Sequence, residues 1–181
     1  MLVDRIAAKL LTDAVVPPAD GRKRAAVAVA LHADRVVLMK RTERLGDPWS
    51  GHISLPGGGY QATDTDLRTT AIRETREELA IDLSGARVLG HFAPLSPRIA
   101  GPGGIEVTPF VFALADEPTP VPGPEALSAF WLPLLQAASG ALDAQYVYEG
   151  SGISFPSWSY EGHVVWGLTW RILSLVIEAG R

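Results

Sequence analysis

L-P-G-G-G-Y-Q-A-T-D-T-D-L-R-T-T-A-I-R-E-T-R-E-E-L-A-I, residues 55–81, decides how this chain is read. A strand-like run breaks at Pro56, passes through a turn of three glycines and restarts as a helix carrying Arg73, Glu74, Glu77 and Glu78. Residues three and four apart are neighbours on a helix, so Glu74 stands beside both Glu77 and Glu78. From Asp64 the period is helical. Leu67, Ala71, Thr75 and Leu79 recur four apart and are expected to face the core, with the three glutamates looking away from that stripe. Asp64 or Thr65 is the expected N-cap, Asp66 a favourable first-turn acid, and the helix should stop near Ala80 to Ser84.

Acidic groups on a helix are most often a solvated face held by i,i+4 pairs. Here they share one patch instead of alternating with lysines. The glycines before them let backbone carbonyls approach a ligand without Cβ obstruction. The helix also follows a strand hairpin, where loops can build a cleft over it. Hard oxygen ligands on a rigid element suit Mg²⁺, which completes its shell with water and substrate phosphates. Zinc would need clustered histidine or cysteine, and neither is present. Metal ions beside a diphosphate neutralise it and lower the pKa of bound water, which points to phosphoryl or nucleotidyl transfer to water.

Outward from this stretch, Arg24 to Leu31 is a small, apolar run suited to a buried strand, with Arg35 to Lys40 as its hairpin partner. Arg41 to Ser50 is a polar loop, and His52 to Leu55 a short strand before the glycines. Arg87 to Leu95 and Glu106 to Ala115 read as strands joined by a Pro- and Gly-rich loop. Glu117 to Pro124 is an irregular loop, Ala129 to Leu132 a strand, and Leu134 to Ser139 a short helix. Tyr146 to Glu149 and Ile153 to Trp158 form a last hairpin, and Val164 to Ala179 a largely buried final helix. Short strands interleaved with a few helices give an α+β class, a mixed sheet between helices.

The 181 residues suit a single domain, 1–181, with 1–20 as an N-terminal helix and linker. Leu2, Ile6 and Leu10 share one face of that helix, and its charges at Asp4, Arg5 and Lys9 argue against a signal peptide or membrane span. No cysteine is present, which excludes disulfides, thiolate metal sites and cysteine nucleophiles and suits a cytoplasmic location. With a net charge of −4 and Arg22-Lys23-Arg24 as the one tight basic cluster, the footprint of a nucleic-acid polymer is missing. A small-molecule partner is expected instead, no membrane is involved, and a homodimer stays open.

Gly59, five residues to Thr65, seven more to Arg73, then Arg73-Glu74-Thr75-Arg76-Glu77-Glu78 resembles the box of the Nudix hydrolase family, G-x5-E-x7-R-E-U-x-E-E-x-G-U. The R-E-x-x-E-E half is complete. Two positions depart: Thr65 stands at the upstream glutamate and Ala80 at the closing glycine. The family glutamate commonly pairs with the box arginine, so its loss bears on how Arg73 is oriented, with Asp64 or Asp66 as substitute partners. The resemblance implies a Nudix-type α/β/α sandwich with Mg²⁺ (or Mn²⁺) held by Glu74, Glu77 and Glu78 and by a carbonyl of Gly57 or Gly58. The implied reaction is hydrolysis of a nucleoside diphosphate linked to another moiety. Glu74 would serve as ligand and base together, or the base comes from a later loop, with Glu125 the candidate. An exposed charge at the start of a strand is the plainer reading of Glu125.

A narrower resemblance, to the coenzyme A pyrophosphatase branch, rests on M-K-R-T-E-R…P-W-S-G-H-I-S-L-P-G-G, V-T-P-F-V and Y-E-G-H-V-V-W-G-L-T. Arg41, Gly51 and Leu55-Pro56-Gly57-Gly58 fit that branch's upstream motif. Lys40-Arg41-Thr42 sits one residue out of register, and Asp47 falls where an arginine would lie. Coenzyme A or an acyl derivative is therefore the first substrate expectation, cleaved to phosphopantetheine and adenosine 3′,5′-bisphosphate. Nucleoside triphosphates, nucleotide sugars, ADP-ribose and dinucleoside polyphosphates are the alternatives, and a nucleotide-sensing module without turnover is the third reading. Arg41, Arg44 and Arg98 are the cations available to substrate, each with a plain surface-charge reading beside it. Trp49 could stack on a base, although packing its own loop is the commoner use of a tryptophan.

Overall fold

The protein is described from a computed structural model, which covers residues 2–46, 49–97, 104–148 and 151–181. Arg98 and Asp47 fall outside the described residues. The chain opens with a short helix, α1 (Leu2–Ala7), and β1 (Arg24–His32) then forms the centre of the main sheet. β2 (Arg35–Arg41), β3 (Ile53–Ser54) and β4 (Gly57–Gly59) lead into helix α2 (Leu67–Leu79). β5 (Arg87–His91), β6 (Glu106–Ala113) and β7 (Ala126–Pro133) complete the sheet. α3 (Leu134–Ala138) is followed by β8 (Asp143–Val147), β9 (Ser154–Tyr160), β10 (His163–Trp166) and the last helix, α4 (Gly167–Ala179).

The main sheet is mixed, in the order β3-β2-β1-β6-β5, with β4 also paired to β1 and β7 to β2. β1 and β6 run parallel, with Ala26 opposite Thr108, and the other pairs in the sheet are antiparallel. β8, β9 and β10 make a separate antiparallel sheet. The alternation of β1 sorts its residues between two cores. Ala26, Ala28 and Ala30 pack with Leu67, Ala71 and Leu79 of α2. Val29 and Leu31 pack with Ile6 of α1 and with Ile172, Leu173 and Val176 of α4. A mixed sheet between helices is the expected α+β architecture.

Several local expectations are corrected. The three glycines form a strand, because a bare backbone can pair with β1 from Ala25 to Val27 where side chains would collide. The final helix starts at Gly167 (φ +65°), and the β-branched Val164 and Val165 before it belong to β10. Helix α2 starts later than expected, capped by Asp66, whose Oδ1 accepts from the Thr69 N–H at 2.7 Å. α1 stops at Ala7. Leu10 lies beyond it, and Leu11 instead pairs with His91 at the edge of β5. β5 ends at His91, with only an isolated bridge between Leu95 and Val107 beyond it. The last β region has three strands, not two.

Candidate active site

Helix α2 lies across the alanine face of β1 with its glutamate side against β4. The reason is size. Alanines on β1 and glycines on β4 leave nothing to hold the helix away. A Cβ added to Gly58 would stand 2.5 Å from Glu74 Cδ, and one added to Gly57 would run into the backbone of Ala26. The glutamates do not share one exposed patch. Glu77 is 59% exposed at its side chain, Glu74 is 14% exposed, and Glu78 is buried at 2%. The expectation that Glu78 looks away from the core is therefore corrected: it turns inward beneath β4, where its Oε2 accepts the Gly57 N–H at 2.8 Å.

Burial sets the electrostatics. Desolvation raises the Glu78 carboxyl to about pKa 8, with further upward pushes from the charges of Glu74 and Glu125, while the Gly57 N–H and Arg41 pull it back. Glu74 is raised as well, first by burial and against the opposing pull of Arg73. Burial therefore works against the charged form of both carboxylates.

Arg73 is held by a shell of oxygens. Its Nε donates to Asp64 Oδ1 at 2.9 Å and its Nη2 to Asp64 Oδ2 at 3.0 Å, a two-point grip on a buried carboxylate. Nη2 also reaches the Gly59 carbonyl at 3.1 Å, and Nη1 reaches Glu74 Oε1 at 2.7 Å and Glu77 Oε2 at 3.4 Å. Asp64 in turn accepts from the Gln61 N–H and the Thr70 hydroxyl. The Arg73 guanidinium holds the Asp64 carboxyl below the usual carboxylate range. Between the two substitutes open in the sequence, Asp64 pairs with Arg73 and Asp66 caps the helix. Thr65, at the position of the family glutamate, bonds Thr69, hydroxyl to hydroxyl at 2.8 Å.

The Pro-rich segment before β7 closes over the end of α2. The Val121 N–H donates to the Leu79 carbonyl and the Gly123 N–H to the Glu78 carbonyl, each at 2.8 Å. This docking brings Glu125 close enough to act on Glu74 and Glu78, and Arg44 meets the Glu125 carboxylate at 3.3 Å. Arg41 and Trp49 line a cavity of about 270 Å³ on the other side of Gly57 and Gly58. Arg44 is not among its lining residues. That cavity draws most of its rings from residues not named as site candidates in the sequence: Tyr148, Phe155, Trp166 and Trp170. The recurrence of aromatics from Tyr146 to Trp170 was the available signal. Among the described residues, no three His, Cys, Asp or Glu side chains already converge as a metal cage. Arg73 stands between Glu74 and Glu77, bonded to both.

A family model, the NUDIX domain, matches residues 21–149. The chain belongs to the Nudix family. The Nudix hydrolase NudL of Yersinia enterocolitica, itself uncharacterized, is 34% identical over 145 residues, 76% of this chain and 70% of that protein. Its counterpart in Yersinia pestis strain Pestoides F is 34% identical over 143 residues, 76% of this chain and 68% of that one. A MutT/nudix family protein from Enterococcus faecalis superposes with a TM-score of 0.57 at 18% identity, covering 91% of this chain and 62% of that one. A bifunctional NMN adenylyltransferase/ADP ribose pyrophosphatase from Francisella tularensis, complexed with AMP and a Mn ion, gives 0.58 at 16% identity, covering 91% and 44%. The Nudix fold is thus common to all of them, and this chain is a Nudix pyrophosphohydrolase. No described helix is long and apolar enough to cross a membrane.

Proposed function

We propose that the Nudix domain hydrolyses the diphosphate of a nucleoside diphosphate derivative at the α2–β4 junction, with coenzyme A or an acyl-coenzyme A as the first substrate to test. Glu74, Glu77 and Glu78 are the residues that would hold a divalent cation, Mg²⁺ or Mn²⁺, with a carbonyl of Gly57 or Gly58. The donor set fits such an ion: it is all oxygen, and burial works against the charge of two of its carboxylates, Glu74 and Glu78, which a cation would relieve. When bound, the ion supplies charge neutralisation of the diphosphate and a more acidic water.

The single observation that carries this reading is the gathering of Glu74 and Glu78 under the glycines of β4, Glu74 against Gly58 and Glu78 on the Gly57 N–H. Arg73, locked by Asp64, fixes the helix face relative to β4 through the Gly59 carbonyl. Arg41, on the cavity side and near enough to steady Glu78, is a cation for a phosphate oxygen. Glu125, paired with Arg44 and near enough to act on Glu74 and Glu78, is the candidate to take a proton from water, and Glu74 is the alternative base. One water is consumed, the P–O–P bridge breaks, and two phosphate monoesters leave.

The test is a substrate panel with Mg²⁺ or Mn²⁺ and mass spectrometry of products. Phosphopantetheine plus adenosine 3′,5′-bisphosphate supports the coenzyme A assignment. Rapid cleavage of ADP-ribose or a dinucleoside polyphosphate, with coenzyme A untouched, transfers the same chemistry to that substrate. Tight binding with no turnover across the panel would leave a sensor.

A further inference from the structure

We propose that the cavity behind Gly57 and Gly58 receives a slender apolar arm, acyl or alkyl, carried on the far phosphate of a nucleoside diphosphate. This rests on the reading that the diphosphate lies at the α2–β4 junction. Position comes first. Gly57 and Gly58 belong to the cavity wall, and Glu74 presses on the other side of Gly58. A diphosphate lying over these glycines therefore sends one of its two substituents into the cavity. At about 270 Å³ the space falls below the ~300–1,000 Å³ of pockets that enclose whole ligands, so it takes one substituent and not both.

The wall chemistry selects which. Among the described residues lining the cavity there is no Asp, Glu, Asn or Gln to accept from a sugar or to read a base edge. The Thr169 hydroxyl is already given to the Ile53 carbonyl at 3.2 Å, and Arg171 to the Ser96 carbonyl at 3.0 Å. A ribose or hexose arm carries several hydroxyls and would find few side-chain acceptors beyond the Ser54 and Tyr148 hydroxyls, which weakens binding. A base would want an open slot between parallel rings. One face of Trp166 is instead covered by Tyr146, whose centroid lies 4.0 Å away at 23°. His52 stands edge-on to Trp166 at 70° and Phe155 is tilted at 46°, so neither offers it a parallel ring. Beside the polar groups of Arg41, His52, Ser54 and Tyr148, the rest of the wall is aliphatic surface, Val27, Leu168 and Ile172 among it, and aromatic rings. An alkyl chain needs only contact, and gains by leaving water.

The experiment uses the full chain with Mg²⁺ and α,β-methylene ADP carrying methyl, butyl or hexyl esters on its terminal phosphate, with α,β-methylene ADP-ribose as the polar control. The bridging carbon prevents hydrolysis, so calorimetry reads binding alone. The Kd is expected to fall about two- to fourfold per added methylene until the cavity fills, and the ribose compound should bind no tighter than the methyl ester. Phe155→Ser and Leu168→Gln, both at partly exposed positions and checked for folding by circular dichroism, should each flatten the dependence on chain length. A Kd independent of length, a dependence that survives in both variants, tighter binding of the ribose compound than of the hexyl ester, or no binding of any ester overturns the proposal. Turnover of the corresponding oxygen-bridged esters is read separately. Length-dependent binding with no Mg²⁺-dependent cleavage supports the arm site and removes the reaction. Cleavage with flat binding does the reverse.

Discussion

The two sides of the β1–β4 pair are built to opposite specifications. Toward α2 the strands show Ala26, Ala28 and Ala30 and the bare glycines, so the helix lies close and Glu74 touches Gly58. Toward α4 the same region opens a cavity between Val27, Leu168 and Ile172 and a ring of aromatics. The close side holds charge in fixed geometry, and the open side holds volume. A reaction centre gains from rigidity because small displacements of reacting groups are costly. A site for an arm of variable length gains from room. Here one strand without side chains separates the two, so each can change without the other.

The largest way to break this division is on the close side. Glu78→Gln and Glu77→Gln are expected to lower kcat by at least about a hundredfold, since even outer partners of a metal site cost 10–100-fold when lost. The fold should persist, as judged by circular dichroism and melting. Full turnover in either variant, measured on a confirmed substrate, would remove its role in holding the cation.

Asp64 tests whether the close side depends on a substitute. Asp64→Ala leaves Arg73 without its two-point partner and should cost about 3 kcal/mol of stability, the scale for breaking a buried ion pair. Because the Asp64 carboxyl is held below its ordinary value, its contribution is present above pH 3.8 and is lost as pH falls through the folded value. Adding Thr65→Glu to Asp64→Ala restores the family's own arrangement and should recover part of both stability and kcat. If the double variant is no better than the single, Thr65 is not the vacated partner position.

Metal and pH sharpen the charge contrast. The folded pKa of Glu78, about 8, lies above its ordinary value of 4.5, so folding takes up a proton between the two. In EDTA the stabilising contribution of this group is complete below pH 4.5 and is lost as pH rises through about 8. Melting temperature should therefore fall over that window in the parent chain and not in Glu78→Gln. A divalent cation favours the carboxylate, so the rise in melting temperature on adding Mg²⁺ or Mn²⁺ should be larger near pH 8 than near pH 5. An equal rise at both would detach Glu78 from the cation.

Legibility follows the same division. The strand–glycine–helix unit and its R-E-x-x-E-E face were readable because helix spacing fixes which residues are neighbours. The inward turn of Glu78 was not, because a 3.6-residue period says where a side chain starts and not how closely the next layer approaches. That distance is set by Ala26 to Ala30, forty residues upstream and more. Val164 to Trp166 read as helix because three apolar residues have no period of their own, and only Gly167 marks the change. The cavity was the least legible part. Its rings come from β9, β10, α4 and the loops holding Trp49, His52 and Tyr148, its glycines from β4, and nothing local in those segments says that they meet.

The smallest expected effect lies at the end of α2, where the chain departs from its family without an evident gain. Ala80 closes the helix in the left-handed conformation, φ 55° and ψ 25°, with its N–H on the Arg76 carbonyl. An L-residue with a Cβ pays roughly 1–2 kcal/mol there, and glycine avoids that strain. Glycine also has more freedom to lose on folding, which offsets part of the gain. Ala80→Gly should therefore raise stability by only about 1 kcal/mol or less, read as a small shift of the urea midpoint at constant m-value. Turnover should stay put, because the Val121 and Gly123 N–H groups already fix the Leu79 and Glu78 carbonyls, whatever residue follows them. A fall in kcat with a rise in stability would mean that strain at Ala80 helps to aim Glu77 and Glu78, and would tie the helix end to the close side of the site.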